Sequence, residues 1–147
     1  MARMIGGVIL GYVVMAALVF ATFTGAYLAM GADAAFRPIT YEPSNLWIVV
    51  SFMLGFAAAV GGGWVCAAVA RDGNAPWILA FVVLVLGLAL ALPGLRRTPT
   101  TEPRLGNVPN MEAMTKAYTP TWIAFLNPVI GAAGALVGGR LRRQTPG

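Results

Sequence analysis

The sequence has no histidine, one cysteine, one lysine and five carboxylates in 147 residues. Each scarcity removes a class of chemistry. Without His, neither a Ser-His-Asp triad nor a Cys-His pair can form, and a zinc site lacks its usual ligands. Cys66 has no partner for an intrachain disulfide and reads as a small apolar packing residue. A Ser-Lys pair would have to join Ser44 or Ser51 to Lys116 with no supporting motif. The expectation is a non-enzymatic protein with no metal and no cofactor. Charge as a whole is scarce: charged residues make up 10% and apolar residues 59%, with a mean hydropathy of +0.76. A soluble domain carries roughly 25% charged residues. The balance therefore implies one integral membrane domain over residues 1–147.

What the chain does have is long uncharged runs. A bilayer core of about 30 Å takes about 20 helical residues at 1.5 Å each. Four stretches without Asp, Glu, Lys or Arg meet that length: 5–30, 46–70, 75–95 and 121–139. Backbone groups in hydrocarbon must bond within their own segment, and the alternating pattern of a membrane barrel is missing. The predicted fold is all-α, a four-helix transmembrane bundle. The first run, preceded by Arg3, is too long for a signal peptide's apolar region, so it is expected to stay as a span.

The connections differ. Residues 31–45 form a first loop, and Arg71-Asp72-Gly73-Asn74 a tight second turn. The long third loop, 96–120, carries Pro99, Pro103 and Pro109, then a stretch in which Asn110 can cap a short helix. There Glu112 and Lys116 fall four apart, and Met111, Met114 and Tyr118 lie near one face. A short interfacial helix or a solvated loop with one helical turn both fit.

Orientation is weakly encoded. Arg3, Arg71, Arg140, Arg142 and Arg143 lie on one side, and Arg37, Arg96, Arg97, Arg104 and Lys116 on the other. This ties the positive-inside count at five against five. The amine and Arg3 before the first span, with the clustered Arg140, Arg142 and Arg143 after the fourth, favour cytoplasmic termini. Trp47 and Trp122, with Tyr27, Tyr41 and Tyr118, are expected at one interface and Trp77 at the other. A tied count also suits dual insertion as an antiparallel dimer, the arrangement of some small four-span exporters and fluoride channels.

Small residues supply the packing signal, because helices in lipid associate by close backbone approach. Gly7 and Gly11, and again Ala21, Gly25 and Ala29, mark the first span; Gly55, Ala59, Gly63 and Ala67 mark the second. The fourth carries Gly131, Ala135 and Gly139 beside Gly134 and Gly138, and the third offers chiefly Gly87 and Ala91. Spans one, two and four are expected to pack tightly, with the Leu- and Val-rich third facing lipid.

Polar residues within the spans are few, and none ionises near neutral pH. The chain is similar in size and span number to small multidrug exporters, but their membrane-embedded Glu has no counterpart here, which counts against proton coupling. The most informative feature is Asn127-Pro128. Proline cannot donate to the Ala124 carbonyl and disfavours helix at Asn127. The fourth span must then kink or restart. A restart would present free N–H groups to a solute or ion; a kink would leave the Asn amide to bond a neighbour such as Ser51 or Thr24. The pair resembles the Asn-Pro-Ala element of water channels, in a single copy followed by Val129.

Over its full length, including Gly11-Tyr12-Val13-Val14-Met15, Leu46-Trp47-Ile48-Val49 and Asn127-Pro128-Val129-Ile130-Gly131, the chain resembles small four-span bacterial membrane proteins that have no assigned function. The resemblance implies a location in the bacterial cell membrane and nothing about activity. Two functions are expected from the residues. The first is a non-enzymatic inner-membrane accessory or structural subunit, with the third loop available to a membrane-protein partner or a second copy. The second is a small channel or carrier for a neutral solute or an anion that uses the Asn127-Pro128 break. Nucleic acid is not an expected partner, because the charge behind the pI of 10.2 is split between two sides. The bilayer itself is, and the Arg-rich tail suits anionic headgroups.

Overall fold

The computed structural model describes residues 1–96, 103 and 108–144, without the side chains of residues 95, 96, 110, 111 and 114. Four helices are long and apolar enough to cross a membrane. In chain order they are α1 (Ala2–Ala35), α2 (Asn45–Ala70), α3 (Ala75–Ala91, extended by a 3-10 turn Leu92–Arg96) and α5 (Thr121–Gln144), with a short α4 (Asn110–Lys116) before the last. The chain is a multi-pass membrane protein built as an all-α four-helix bundle.

Local chemistry sets the helix ends. Ser44 caps α2: its Oγ accepts from the Trp47 amide at 3.1 Å and donates to the Ala34 carbonyl at 2.5 Å, tying the start of α2 to the end of α1. Arg71 closes α2 in the left-handed region (φ 52°), its amide bonded to the Ala67 carbonyl at 3.1 Å. Pro76 sits in the first turn of α3, where its missing N–H costs no helical bond. Near its end α1 kinks at Gly31 (φ 74°, ψ 169°), a conformation glycine adopts at little cost. Asn110 is the first helical residue of α4 rather than its cap, since the Ala113 amide bonds the Pro109 carbonyl at 3.0 Å. The Glu112–Lys116 pair forms at 3.1 Å. The expected face made by Met111, Met114 and Tyr118 rests partly on side chains outside the described residues, as do the expected positions of Pro99, Arg96, Arg97 and Arg104.

Residues without side chains bring the helices together. A Cβ on Gly11 would stand 2.7 Å from the Cys66 Cβ and 2.8 Å from the Gly62 carbonyl oxygen; one on Gly7 would meet Ala70 Cβ at 2.7 Å. On the opposite face of α2, Gly63 lies against the Ala135 carbonyl and Gly138 against the Val60 carbonyl, while a Cβ on Gly134 would meet Ala59 Cβ at 2.7 Å. So α2 is the spine, flanked by α1 and α5. Among the described residues no Cα of α1 comes within 8 Å of one in α5.

Three expectations need correction. First, α3 is not simply lipid-facing. Although Trp77, Phe81 and Leu90 are exposed, Leu79 is fully buried among α1, α2 and α5 residues, and a Cβ on Gly87 would meet Pro128 Cγ at 2.6 Å. Glycine lets the proline ring seat on α3. Second, Gly131, in the span expected to pack tightly with the first and second, faces α3, where a Cβ would stand 3.0 Å from Val83 Cγ1. Third, the stripe of Ala21, Gly25 and Ala29 points out of the bundle, with nothing within 4 Å of a Cβ on Gly25. The row at Met15, Val19, Phe23 and Tyr27 turns inward instead and directs those small residues to lipid.

Close approach through missing side chains gives a paired prediction. Gly63→Val drives a branched side chain into backbone that cannot yield, so it is expected to cost at least about 3 kcal/mol, the upper end of overpacking penalties. Gly25→Val, facing open space, is expected to change stability by under about 0.5 kcal/mol. Thermal or denaturant unfolding of both in the same detergent checks this; equal losses would refute the packing assignment.

Candidate functional site

The second turn and both termini share one end of the bundle, where Arg143 donates to the Gly73 carbonyl. The first and third loops share the other. At the terminal end the inward residues are small. Toward the loop end they grow: α1 turns Met15, Val19 and Phe23 inward, and α5 passes from its glycines to Asn127 and Ala124. Bulk at these positions holds the helices apart and leaves a half-open cavity of about 610 Å³, within the roughly 300–1,000 Å³ of small-molecule sites.

Its walls are mostly apolar, formed by Met15, Val19, Phe23, Val83, Leu90 and Ile130, with Gly55 and Gly131 between them. The mouth is framed by Pro93 and Gly94 on one side and Ala117, Tyr118 and Thr119 on the other. Gly55, expected to be a packing residue, is a cavity residue: the nearest atom to a Cβ there is Phe23 Cζ at 3.9 Å.

Asn127 and Tyr12 are the polar side chains deeper in the cavity. Asn127 lies six residues into α5, roughly 9 Å along its axis, and Tyr12 ten residues into α1, roughly 15 Å. Both therefore sit at hydrocarbon depth. Among the described residues neither side chain makes a hydrogen bond. The neighbours suggested by the sequence do not serve Asn127, and Ser51 Oγ donates instead to the Ile48 carbonyl at 2.9 Å. The helix also does not restart. It runs unbroken from Thr121 to Gln144 with Pro128 inside and buried, so the N–H groups that a restart would free stay within the helix. What the proline does release is the Ala124 carbonyl, and Ala124 and Pro128 both line the cavity. Among the described residues no Asp, Glu, Lys or Arg lines it.

A folded cap secures the mouth. Tyr27, Phe36 and Tyr41 are buried with Ala113 of α4, and edge-to-face ring contacts run Phe23–Trp47 (6.0 Å), Tyr27–Trp47 (5.8 Å), Tyr27–Phe36 (6.3 Å) and Phe36–Tyr41 (6.4 Å). The Tyr118 amide donates to the Tyr41 carbonyl at 3.1 Å, and the Lys116 ammonium lies 5.7 Å from the Tyr41 ring centre. The first loop thus holds the segment that lines the mouth. Trp122 pairs with Phe52 at 6.3 Å toward the same end, whereas Trp77 is exposed near the other. Of the tail, Arg140 is exposed, Arg142 lies 5.7 Å from the Trp64 ring centre, and Arg143 anchors the second turn.

Sequence reasoning singled out Asn127 and Pro128 but missed Tyr12, Gly55 and the Met15-Val19-Phe23 row as cavity residues. Their four-residue spacing along α1 was a usable signal for a shared face. No protein-family model matches the chain, and no curated protein or solved structure matches it either. Among the described residues no group of three or more Cys, Asp or Glu could hold a metal ion.

An unpaired carboxamide at membrane depth destabilises the fold that contains it. Asn127→Leu is therefore expected to raise unfolding free energy, by about 1–2 kcal/mol, in the same lipid or detergent. A loss of more than about 1 kcal/mol would show that the amide is already satisfied within the protein.

Proposed function

We propose that this chain is a non-enzymatic bacterial inner-membrane protein that binds a small neutral molecule in the cavity beside Asn127, as the binding step of a carrier or narrow channel. The observation that carries the reading is that Asn127 and Tyr12, two side chains at hydrocarbon depth with no hydrogen bond among the described residues, line one ligand-sized space. Proteins retain such groups against their energetic cost where they meet a ligand or line a path. The uncharged lining among the described residues favours a neutral molecule, and the unbroken α5 removes the N–H donors that an anion would need. Proton coupling has no support, because no carboxylate among the described residues lines the cavity.

The ordered cap supports a second reading, an accessory subunit that docks a membrane-protein partner or a second copy. Ile39 is 61% exposed at the tip of the first loop and is held at φ 65°, a conformation strained for a β-branched residue. The cavity is the stronger ground, because it offers specific unsatisfied groups.

The test uses the full chain in lipid nanodiscs with isotope-labelled asparagine side chains. Glycerol, benzyl alcohol, decan-1-ol and nitrate are added in turn. At least one neutral probe is expected to shift the Asn127 amide resonances, with nitrate silent and the response abolished by Gly55→Phe, which fills the space. Silence toward all three neutral probes, or a response surviving Gly55→Phe, overturns the reading.

For orientation we favour cytoplasmic termini, on the arginine cluster flanking α1 and α5. Paired C-terminal reporters, one active only in the cytoplasm and one only outside, are expected to give cytoplasmic signal alone. Comparable activity from both at matched expression would indicate dual insertion.

A further inference from the structure

We infer that the cavity takes a neutral single-chain amphiphile with a hydroxyl or amide headgroup, and that this ligand enters sideways from the bilayer. The inference rests on the cavity-binding reading above and specifies its ligand. Four observations support it.

The first is where the cavity opens. Leu90 lines it and is also 75% exposed, and Asn127 is likewise both a lining and an exposed residue. Leu90 lies within the third span, which runs from Ala75 to Gly94. An opening bordered by a residue at that depth faces acyl chains. The helices are arranged to permit it: α1 has no Cα within 8 Å of α5, and its contact with α3 includes Gly11 against Leu79, toward the terminal end. At the water-facing end, by contrast, the first loop pins residues 117–119 over the mouth through the Tyr41–Tyr118 bond.

The second is size. The half-open space of about 610 Å³ lies within the roughly 300–1,000 Å³ of sites that take one small molecule, a range that suits one aliphatic chain with a small headgroup.

The third is the division of the walls. Met15, Val19, Phe23, Val83, Leu90 and Ile130 present hydrocarbon to a chain, whereas Asn127 and, one helical turn before it, Ala124, whose carbonyl Pro128 deprives of its helical donor, place hydrogen-bonding capacity together on one wall. The fourth is the sign of that capacity. The carbonyl freed by Pro128 only accepts, and the Asn127 carboxamide both accepts and donates. A headgroup that donates can serve the carbonyl, and an ether or ester, which only accepts, cannot. With no cationic side chain among the described wall residues, a fatty carboxylate would be left uncompensated.

The experiment uses a dodecanol carrying a chain diazirine, photolysed with the full-length protein in nanodiscs, with labelled peptides mapped by mass spectrometry. Labelling is expected on the lining residues Met15, Val19, Phe23 and Val83. Unlabelled dodecanol is expected to compete at least tenfold better than its methyl ether, and Gly55→Phe is expected to abolish the labelling. Equal competition by alcohol and ether, or labelling confined to outward residues such as Phe20 and Phe81, overturns the inference. Its failure is separable from failure of the wider reading. If glycerol or benzyl alcohol shifts the Asn127 amide while dodecanol neither labels nor competes, the cavity is a solute site and only the amphiphile assignment falls; if nothing shifts or labels, both fall.

Discussion

Backbone contact at the terminal end of the bundle is the constraint on which the rest depends. In lipid, apolar burial gives helices little reason to associate, because the solvent is as apolar as the side chains. Attraction must come from many close van der Waals contacts, each worth only about 0.1–0.2 kcal/mol, and these need backbones near enough to touch. Here α2 meets both flanking helices that way, with Gly62 seated on Gly11 and Met15, Gly63 on Ala135, and Gly138 on Val60. The glycines are interleaved rather than aligned in one row, so a single helix serves two partners on two faces.

That concentration of small residues has a geometric consequence at the opposite end. Helices drawn to contact at one end and spaced by Met15, Val19, Phe23 and Asn127 at the other must diverge. The gap between them is the cavity. It is kept from collapsing by the cap, where Trp47, Tyr27, Phe36 and Tyr41 form a run of edge-to-face rings that joins α2, α1 and the first loop. Pro128 completes the frame by seating its ring on Gly87, which fixes α5 against α3 while Asn127, one residue before it, remains free to face the space.

The four spans were legible because length and lack of charge are properties of single segments, and so was α4, whose Glu112–Lys116 pair is local. The partners of the small-residue stripes were not. Gly25 and Gly11 look alike in sequence, yet one faces lipid and the other Cys66, because the choice depends on which α1 row meets α2. The restart at Pro128 failed to appear for a similar reason: tertiary contact with Gly87 supports an unbroken helix that local propensity disfavours. The cavity was legible only in its Asn127-Pro128 corner. Tyr12 lies more than a hundred positions earlier in the chain, and only the fold brings it to the same space.

An unsatisfied Asn at hydrocarbon depth has two physical resolutions, and they differ in what surrounds it. A side chain that merely tolerates burial bonds to a nearby carbonyl or hydroxyl, as Thr22 does to the Leu18 carbonyl at 2.7 Å and Ser51 to that of Ile48. Those two show that this bundle satisfies intramembrane hydroxyls locally where a carbonyl lies in reach. Asn127 lies three residues beyond a carbonyl that Pro128 deprives of its helical donor, yet among the described residues its amide makes no hydrogen bond, and the exposed residue lines the cavity. A donor from outside the chain would satisfy carbonyl and amide together, which neither group achieves for the other in this arrangement. On the proposed reading, the polar part of the wall and its apolar remainder would act as a single recognition surface, the apolar part selecting what enters and the polar part holding it.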